Sequence, residues 1–247
     1  MFKEFRADLH IHTCLSPCAD IQMTPSAIVK IAAERSIDII AVTDHNSAEN
    51  VNSVIKAAEN SDLTVLAGME VTSSEEAHIL ALFDNTDSAV KLQDTVYERL
   101  LPGENDEKRF GEQIVVNEKN EVLSFNKRIL IAATSLTAES IVSITHSLGG
   151  ISIASHIDRE TFGLISQLGF IPDTLKLDAL EISPQTDRKK AEDSYNDYRS
   201  FAWVSSSDAH YLDDIGKRTT RLYMRDPSFS EIILAIRNYG GRKAEWN

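Results

Sequence analysis

Seven histidines are spread over 247 residues, and most of them end an apolar run, often with a carboxylate nearby. Asp8-Leu9-His10-Ile11-His12-Thr13 reads as a short strand closing on two histidines. Side chains on a strand alternate faces, so Asp8, His10 and His12 should share one side and Leu9 and Ile11 the other. Two imidazoles side by side on a rigid strand form a pair of metal ligands. The same residue types return downstream. Thr43-Asp44-His45 follows Ile39-Ile40-Ala41-Val42, Glu70 follows residues 63–69, His156 follows 151–155, and Asp208-Ala209-His210 comes after Trp203-Val204. Mixed imidazole and carboxylate donors suit Zn²⁺, Mn²⁺ or Fe²⁺. Such an ion lowers the pKa of bound water to about 7 and screens the charge of a phosphate ester, so these residues point to hydrolysis.

The elements between these residues must bring them together. Thr24-Pro25 opens a helix, with Thr at the cap and Pro in the first turn. Residues 37–42 form a nearly continuous apolar strand, 47–60 a helix, 63–71 a strand and 78–83 another. Strands alternating with helices imply a mostly parallel sheet or barrel, with functional groups at the carboxyl ends of its strands. His12, Asp44, His45 and Glu70 fall at such ends. Segment 84–128 breaks the pattern: a helix over 88–101, a charged run over 104–109, and a hairpin whose strands, 113–116 and 121–125, flank Asn117-Glu118-Lys119-Asn120. It reads as an insertion in a barrel loop. The pattern then resumes, with helices over 137–147, 158–168 and 187–198, strands over 151–156, 179–182, 202–206 and 221–224, and a final helix from Asp226-Pro227 to Gly240-Gly241. One α/β domain over residues 1–247 is expected.

Composition narrows the partners. Apolar residues make up 42% of the chain, and 38 acidic residues against 25 basic ones give a net charge of −13. An acidic surface lacks the cationic footprint that long nucleic acid requires, so no such partner is expected. No apolar run approaches the ~20 residues that span a bilayer. The first residues have no apolar leader. A cytoplasmic protein without membrane association is therefore expected. Two cysteines, Cys14 and Cys18, imply no disulfide framework.

The residues quoted above, taken in order, resemble the PHP (polymerase and histidinol phosphatase) domain family. The matching pieces are Asp8-Leu9-His10-Ile11-His12-Thr13, Thr43-Asp44-His45-Asn46, Gly68-Met69-Glu70, His78-Ile79-Leu80, Ser155-His156-Ile157-Asp158-Arg159 and Ser207-Asp208-Ala209-His210. They are similar to the compact stand-alone phosphoesterase-like members. The resemblance implies a distorted, TIM-like (β/α)7 barrel with two or three divalent metals, Zn, Mn or Fe, at its mouth. It implies that His10, His12, Glu70 and Asp208 hold one metal, and that Glu70 bridges to a second held by His78 and His156. His45 and His210 would hold a third, with a ligand from the loop after His12. At the family's usual offset, about five residues past the second histidine, this chain has Pro17. Asp20 is the nearest carboxylate and is favoured as the ligand; Cys18 is the nearest thiol.

The function this implies is hydrolysis of a small phosphate ester, a phosphorylated metabolite or nucleotide, by a metal-bridging hydroxide. The alternatives are an exonuclease or nucleotidase acting on short oligonucleotides, a non-catalytic metal-binding module, and hydrolysis of a C–N or C–O bond. Arg159, three residues past His156, suits bidentate grip of a phosphate, with Lys217 and Arg218 next in line. Asp44 is assigned as a proton shuttle or as the orienter of a ligand histidine, and Asp8 to a supporting role. His146, on a helix, is assigned to structure.

Overall fold

A computed structural model describes residues 1–246. The elements in chain order are β1 (Lys3–Ile11), α1 (Pro25–Glu34), β2 (Ile39–Val42), α2 (Val51–Ala58), β3 (Thr64–Thr72), β4 (His78–Phe83), α3 (Thr86–Arg99), α4 (Glu107–Phe110), β5 (Ile114–Val116), β6 (Val122–Phe125), α5 (Ala138–Ser147), β7 (Ile151–Ala154), α6 (Leu164–Leu168), β8 (Ala179–Glu181), α7 (Arg188–Ser194), β9 (Ala202–Val204), β10 (Thr220–Met224), α8 (Phe229–Ile236) and β11 (Lys243–Trp246).

Nine strands form one sheet in the order β11-β10-β1-β2-β3-β4-β7-β8-β9. Its ends approach each other: Ser205, just past β9, donates its N–H to Thr220 Oγ1 at 2.8 Å, and that hydroxyl donates back to Ser205 O at 3.0 Å. The sheet is thus a nearly closed barrel, as the α/β reading expects. The pairs β1–β2, β2–β3, β7–β8 and β8–β9 are parallel. β4 runs antiparallel to both β3 and β7, so its first residue, His78, lies at the mouth where the parallel strands end.

Alternate residues of the strands build two apolar layers. Leu9, Ile39, Leu66, Leu80, Ile153, Ala179, Val204 and Leu222 meet inside the barrel, with Phe229, Ile232 and Ile236 of α8 packed against them. Ile40, Val42, Met69, Ile79 and Ala81 face outward against the apolar sides of α1, α2, α3 and α5. The strict alternation expected of β1 fails. Ala7 and Leu9 lie in the inner layer and Ile11 in the outer one, because the β1–β2 register shifts between Asp8 and Ile11. Such an irregularity re-aims side chains. Here it lets His10 face the same interior as Leu9.

Several local expectations are revised. Thr24 has the extended backbone of a cap, but its hydroxyl caps nothing. Thr137 does cap α5, accepting from Ser140 N. The helix expected over 158–168 shrinks to α6, because Asp158 is drawn across to Ser183, accepting from its N–H at 2.8 Å and from its hydroxyl at 2.6 Å. Residues 196–198 form a 3₁₀ turn instead of prolonging α7. β11, charged and short, has no pattern of its own and becomes a strand by pairing with β10. β5 and β6 form a separate two-stranded sheet. Its Ile114 and Val116 pack on Cys14, and Val115 packs with Leu15 and Leu130, so the segment braces the loop after β1. No helix among the described residues is long and apolar enough to cross a membrane.

Candidate metal centre

Glu70 stands at the centre of the barrel mouth. It lies on the inward face of β3, two positions beyond Gly68 and four beyond Leu66, and is 1% exposed. Its Oε1 is 3.0 Å from His78 Nδ1, 3.3 Å from His10 Nε2 and 3.3 Å from His156 Nε2. Its Oε2 is 3.1 Å from His45 Nδ1 and 3.5 Å from His12 Nε2. Asp208, held at φ 50°, places Oδ1 3.2 Å from both His10 Nε2 and His12 Nε2. The ring of His210 stacks on that of His12 with centroids 4.2 Å apart. The residues scattered from position 10 to position 210 therefore converge.

Their ring orientations are fixed from behind. His10 Nδ1–H donates to Glu181 Oε2 at 2.9 Å, which turns Nε2 into the site. Glu181, the last residue of β8, also accepts from His156 N at 3.2 Å. His12 Nδ1–H donates to Ser16 Oγ at 3.0 Å, and Ser16 donates to Asp44 Oδ1 at 2.7 Å. Asp44 is fully buried and also accepts from Thr13 N and Thr13 Oγ1. Its bonds all point into the loop after β1, so it orients His12 through Ser16 and makes no contact at the mouth as a proton shuttle. Asp8 accepts from Ser207 N at 2.9 Å and Gly216 N at 2.8 Å, bracing the loop that presents Asp208.

The residues from the loop after His12 do not fall as the spacing suggests. Asp20 Oδ1 accepts from Gln22 N at 2.8 Å, a local turn, and the carboxylate joins none of the donor groups. The side chain placed beside His45 and His210 is that of Cys18, which lines the mouth with them. Arg159 also lines the mouth, with a guanidinium nitrogen 2.7 Å from Asp208 Oδ2. Lys217 is instead paired with Asp214 at 2.7 Å, and Arg218 donates to Pro184 O and Thr186 O under the ring of Trp246. His146 lies outside the site, bonded to Asp178 at 2.8 Å. Glu181 has no signature in the sequence, because a single acidic residue at the end of a three-residue strand carries no motif.

Electrostatics follow from this crowding. Burial opposes charge on His10, but Asp208, Glu181 and Glu70 outweigh it and hold its pKa well above the usual range. Burial, with His210 and His45 nearby, pushes His12 well below. Burial likewise lowers His78, to about 4. Glu70 and Asp208 are held well below the carboxylate range, the surrounding imidazoles overcoming burial. His45 and His210, beside the thiol of the otherwise exposed Cys18, bring it down to about 6. Glu70 Oε1, His45 Nδ1 and His78 Nδ1 are buried without a hydrogen-bond partner. Buried polar atoms left unpaired are costly, and a cation among them supplies what they lack. Three groups of donors, His10–His12–Asp208, His45–Glu70–His78 and His12–His45–His210, each lie within 4.8 Å of one another. The donor set fits divalent metal ions. A cavity of ≈ 250 Å³ opens onto it, lined also by Ile131, Thr161 and Phe162. A larger one of ≈ 300 Å³, at Arg188, Trp203 and Trp246, contains none of these donors.

Comparison with known proteins agrees with this geometry. The model of the PHP domain family matches residues 8–169. The uncharacterized protein YqxK of Bacillus subtilis is 25% identical over 98% of this chain and 64% of its own length. The lesion-specific endonuclease PfuEndoQ of Pyrococcus furiosus superposes with a TM-score of 0.77 at 20% identity, over 98% of this chain and 58% of that one. Endonuclease Q solved with a 27-mer duplex carrying an abasic lesion at its active site gives 0.78. An amidohydrolase from Chromobacterium violaceum gives 0.59 at 18% identity, over 85% of this chain and 89% of that one. This chain thus spans about three fifths of the length of YqxK and PfuEndoQ. One expectation is corrected: net charge argued against long nucleic acid, and the resemblance to compact members pointed to a small phosphorylated partner, yet a protein of this fold is solved on a 27-mer duplex. Total charge does not exclude such a partner, because a local field at one mouth can differ in sign from the surface as a whole.

Proposed function

The chain belongs to the PHP domain family of metal-dependent phosphoesterases, and from that premise we propose that it hydrolyses phosphodiester bonds in nucleic-acid strands. The observation that carries this reading is Glu70, a buried carboxylate with four imidazoles within 3.3 Å in a mouth that also holds Asp208 and Arg159. His10, His12, Glu70, His78, His156, Asp208, His45 and His210, with Cys18 from the loop after His12, would hold two or three divalent ions. When bound, such ions supply charge neutralisation and an activated water.

The remaining work falls to the chain's own groups. Arg159, steered by Asp208, grips a non-bridging phosphate oxygen. Glu181 and the Ser16–Asp44 pair hold the imidazoles of His10 and His12 in one tautomer, each with Nε2 turned into the mouth. Ile131 lines the cavity beside these groups. A strand, rather than a small ester, is favoured by the likeness to endonuclease Q. Because that protein is considerably longer, its lesion specificity is not carried over.

The test is cleavage of a 5′-labelled oligonucleotide, single-stranded and duplex, by protein of measured metal content. Cleavage that stops with a chelator and returns with Mn²⁺ or Zn²⁺ is the expected result. Full metal occupancy without strand cleavage would refute the proposal.

A further inference from the structure

The turn after β7 carries three cavity-lining residues, Arg159, Thr161 and Phe162, and it is held rigidly. Arg159 N–H donates to His156 O at 2.9 Å, and His78 N–H donates to Phe162 O at 2.9 Å. Gly163 closes the turn where a side chain has no room, since a Cβ there would sit 2.5 Å from Arg159 O. Phe162 itself has φ 60°, a backbone region that bulky residues rarely adopt. Its ring lies flat on His78, with centroids 4.4 Å apart and planes 14° apart, yet it remains 37% exposed. An apolar ring is thus fixed at both ends, covered on one face by a residue of the metal centre, and presented at the cavity. A side chain that merely filled space would bury itself and would not need this backbone.

We propose that Phe162 is the stacking platform for a nucleobase adjoining the phosphate bound at the metal centre. This rests on the proposed function and names what the site reads. Every base has a π-face, so an aromatic platform binds strands with little regard to sequence. Arg159, three residues earlier on the same turn, takes the phosphate of the nucleotide whose base Phe162 receives.

The experiment is calorimetric titration of the metal-loaded protein with deoxyadenosine 5′-monophosphate and with 2-deoxyribose 5-phosphate, which lacks the base. The wild type should bind the nucleotide on the order of ten-fold more tightly. Phe162→Ala should abolish that preference while leaving the sugar phosphate's affinity and the metal content unchanged, and Phe162→Trp should retain it. A wild type without preference, a preference that survives in Phe162→Ala, or equal weakening of both ligands would overturn the inference. Lack of strand cleavage by the wild type would remove the proposed function alone. Strand cleavage without base preference would remove this inference alone.

Discussion

His10 and Glu181 are 171 residues apart in the chain and 2.9 Å apart at the barrel mouth, the imidazole donating to the carboxylate. The bond sets which ring nitrogen is free. With Nδ1 committed, Nε2 faces Glu70 and Asp208 at 3.3 and 3.2 Å. A carboxylate behind a ligand histidine raises its basicity and fixes its tilt.

Glu181→Ala should therefore weaken metal binding by about 10- to 100-fold, with Glu181→Gln, which keeps an acceptor, falling between it and the wild type. Titration against a competing chelator measures this. Unchanged affinity in both variants would mean that His10 needs no support.

Glu70→Ala removes the group on which four imidazoles converge. At least one metal ion per chain should be lost, and phosphodiester hydrolysis should fall by at least about 100-fold. Elemental analysis of folded protein, with circular dichroism as the check on folding, gives the first readout. Retention of full metal content would contradict the site described.

Cys18 and Asp20 separate cleanly. Cys18 borders His45 and His210, whereas Asp20 caps its own turn. Cobalt-loaded wild type should show a thiolate charge-transfer absorption that Cys18→Ser lacks and Asp20→Ala keeps. The reverse outcome would restore the carboxylate as the loop ligand.

Gly163→Ala should displace the turn bearing Arg159 and Phe162, since the new methyl group would meet Arg159 O at 2.5 Å. Overpacking of this kind costs about 1–3 kcal/mol. We expect a modest loss of thermal stability with a larger loss of phosphate-ester affinity. Equal melting temperature and equal KM would show that the turn tolerates the group.

The acid limb of stability should depend on Glu231. Arg242, bonded to it at 2.6 and 3.0 Å, and Arg225 N–H at 2.9 Å lower its pKa from 4.5 to about 2. A carboxylate lowered by folding adds stability that is complete above its unfolded value and is lost as pH falls from 4.5 toward 2. Urea midpoints against pH should fall less steeply over that range in Glu231→Gln than in the wild type. Parallel curves would mean that the pair contributes nothing.

Much of this protein was legible locally. Apolar runs of four to six residues ending in His, Asp or Glu marked strand ends, because a strand buried on both faces must be apolar until it reaches the mouth. The αβ alternation and the donor residues around Glu70 followed from that pattern. Strand direction did not: β4 reads like any buried strand, and only its antiparallel pairing with β3 carries His78 to the mouth. Net charge by itself does not exclude a nucleic-acid partner, since it averages over a surface of which the site is a small part.

Residue types and their spacing carried the donor types, the apolar faces that bury them, and the strand ends that present them. Tertiary structure alone decided that the β1 irregularity turns His10 inward, that Cys18 rather than Asp20 reaches His45 and His210, and that Asp44 stands behind His12 while Glu181 stands behind His10. The reason is physical. Periodicity and residue type act within a few residues, whereas these partnerships are chosen when barrel closure brings distant strand ends within hydrogen-bonding reach and each buried polar atom must find a partner.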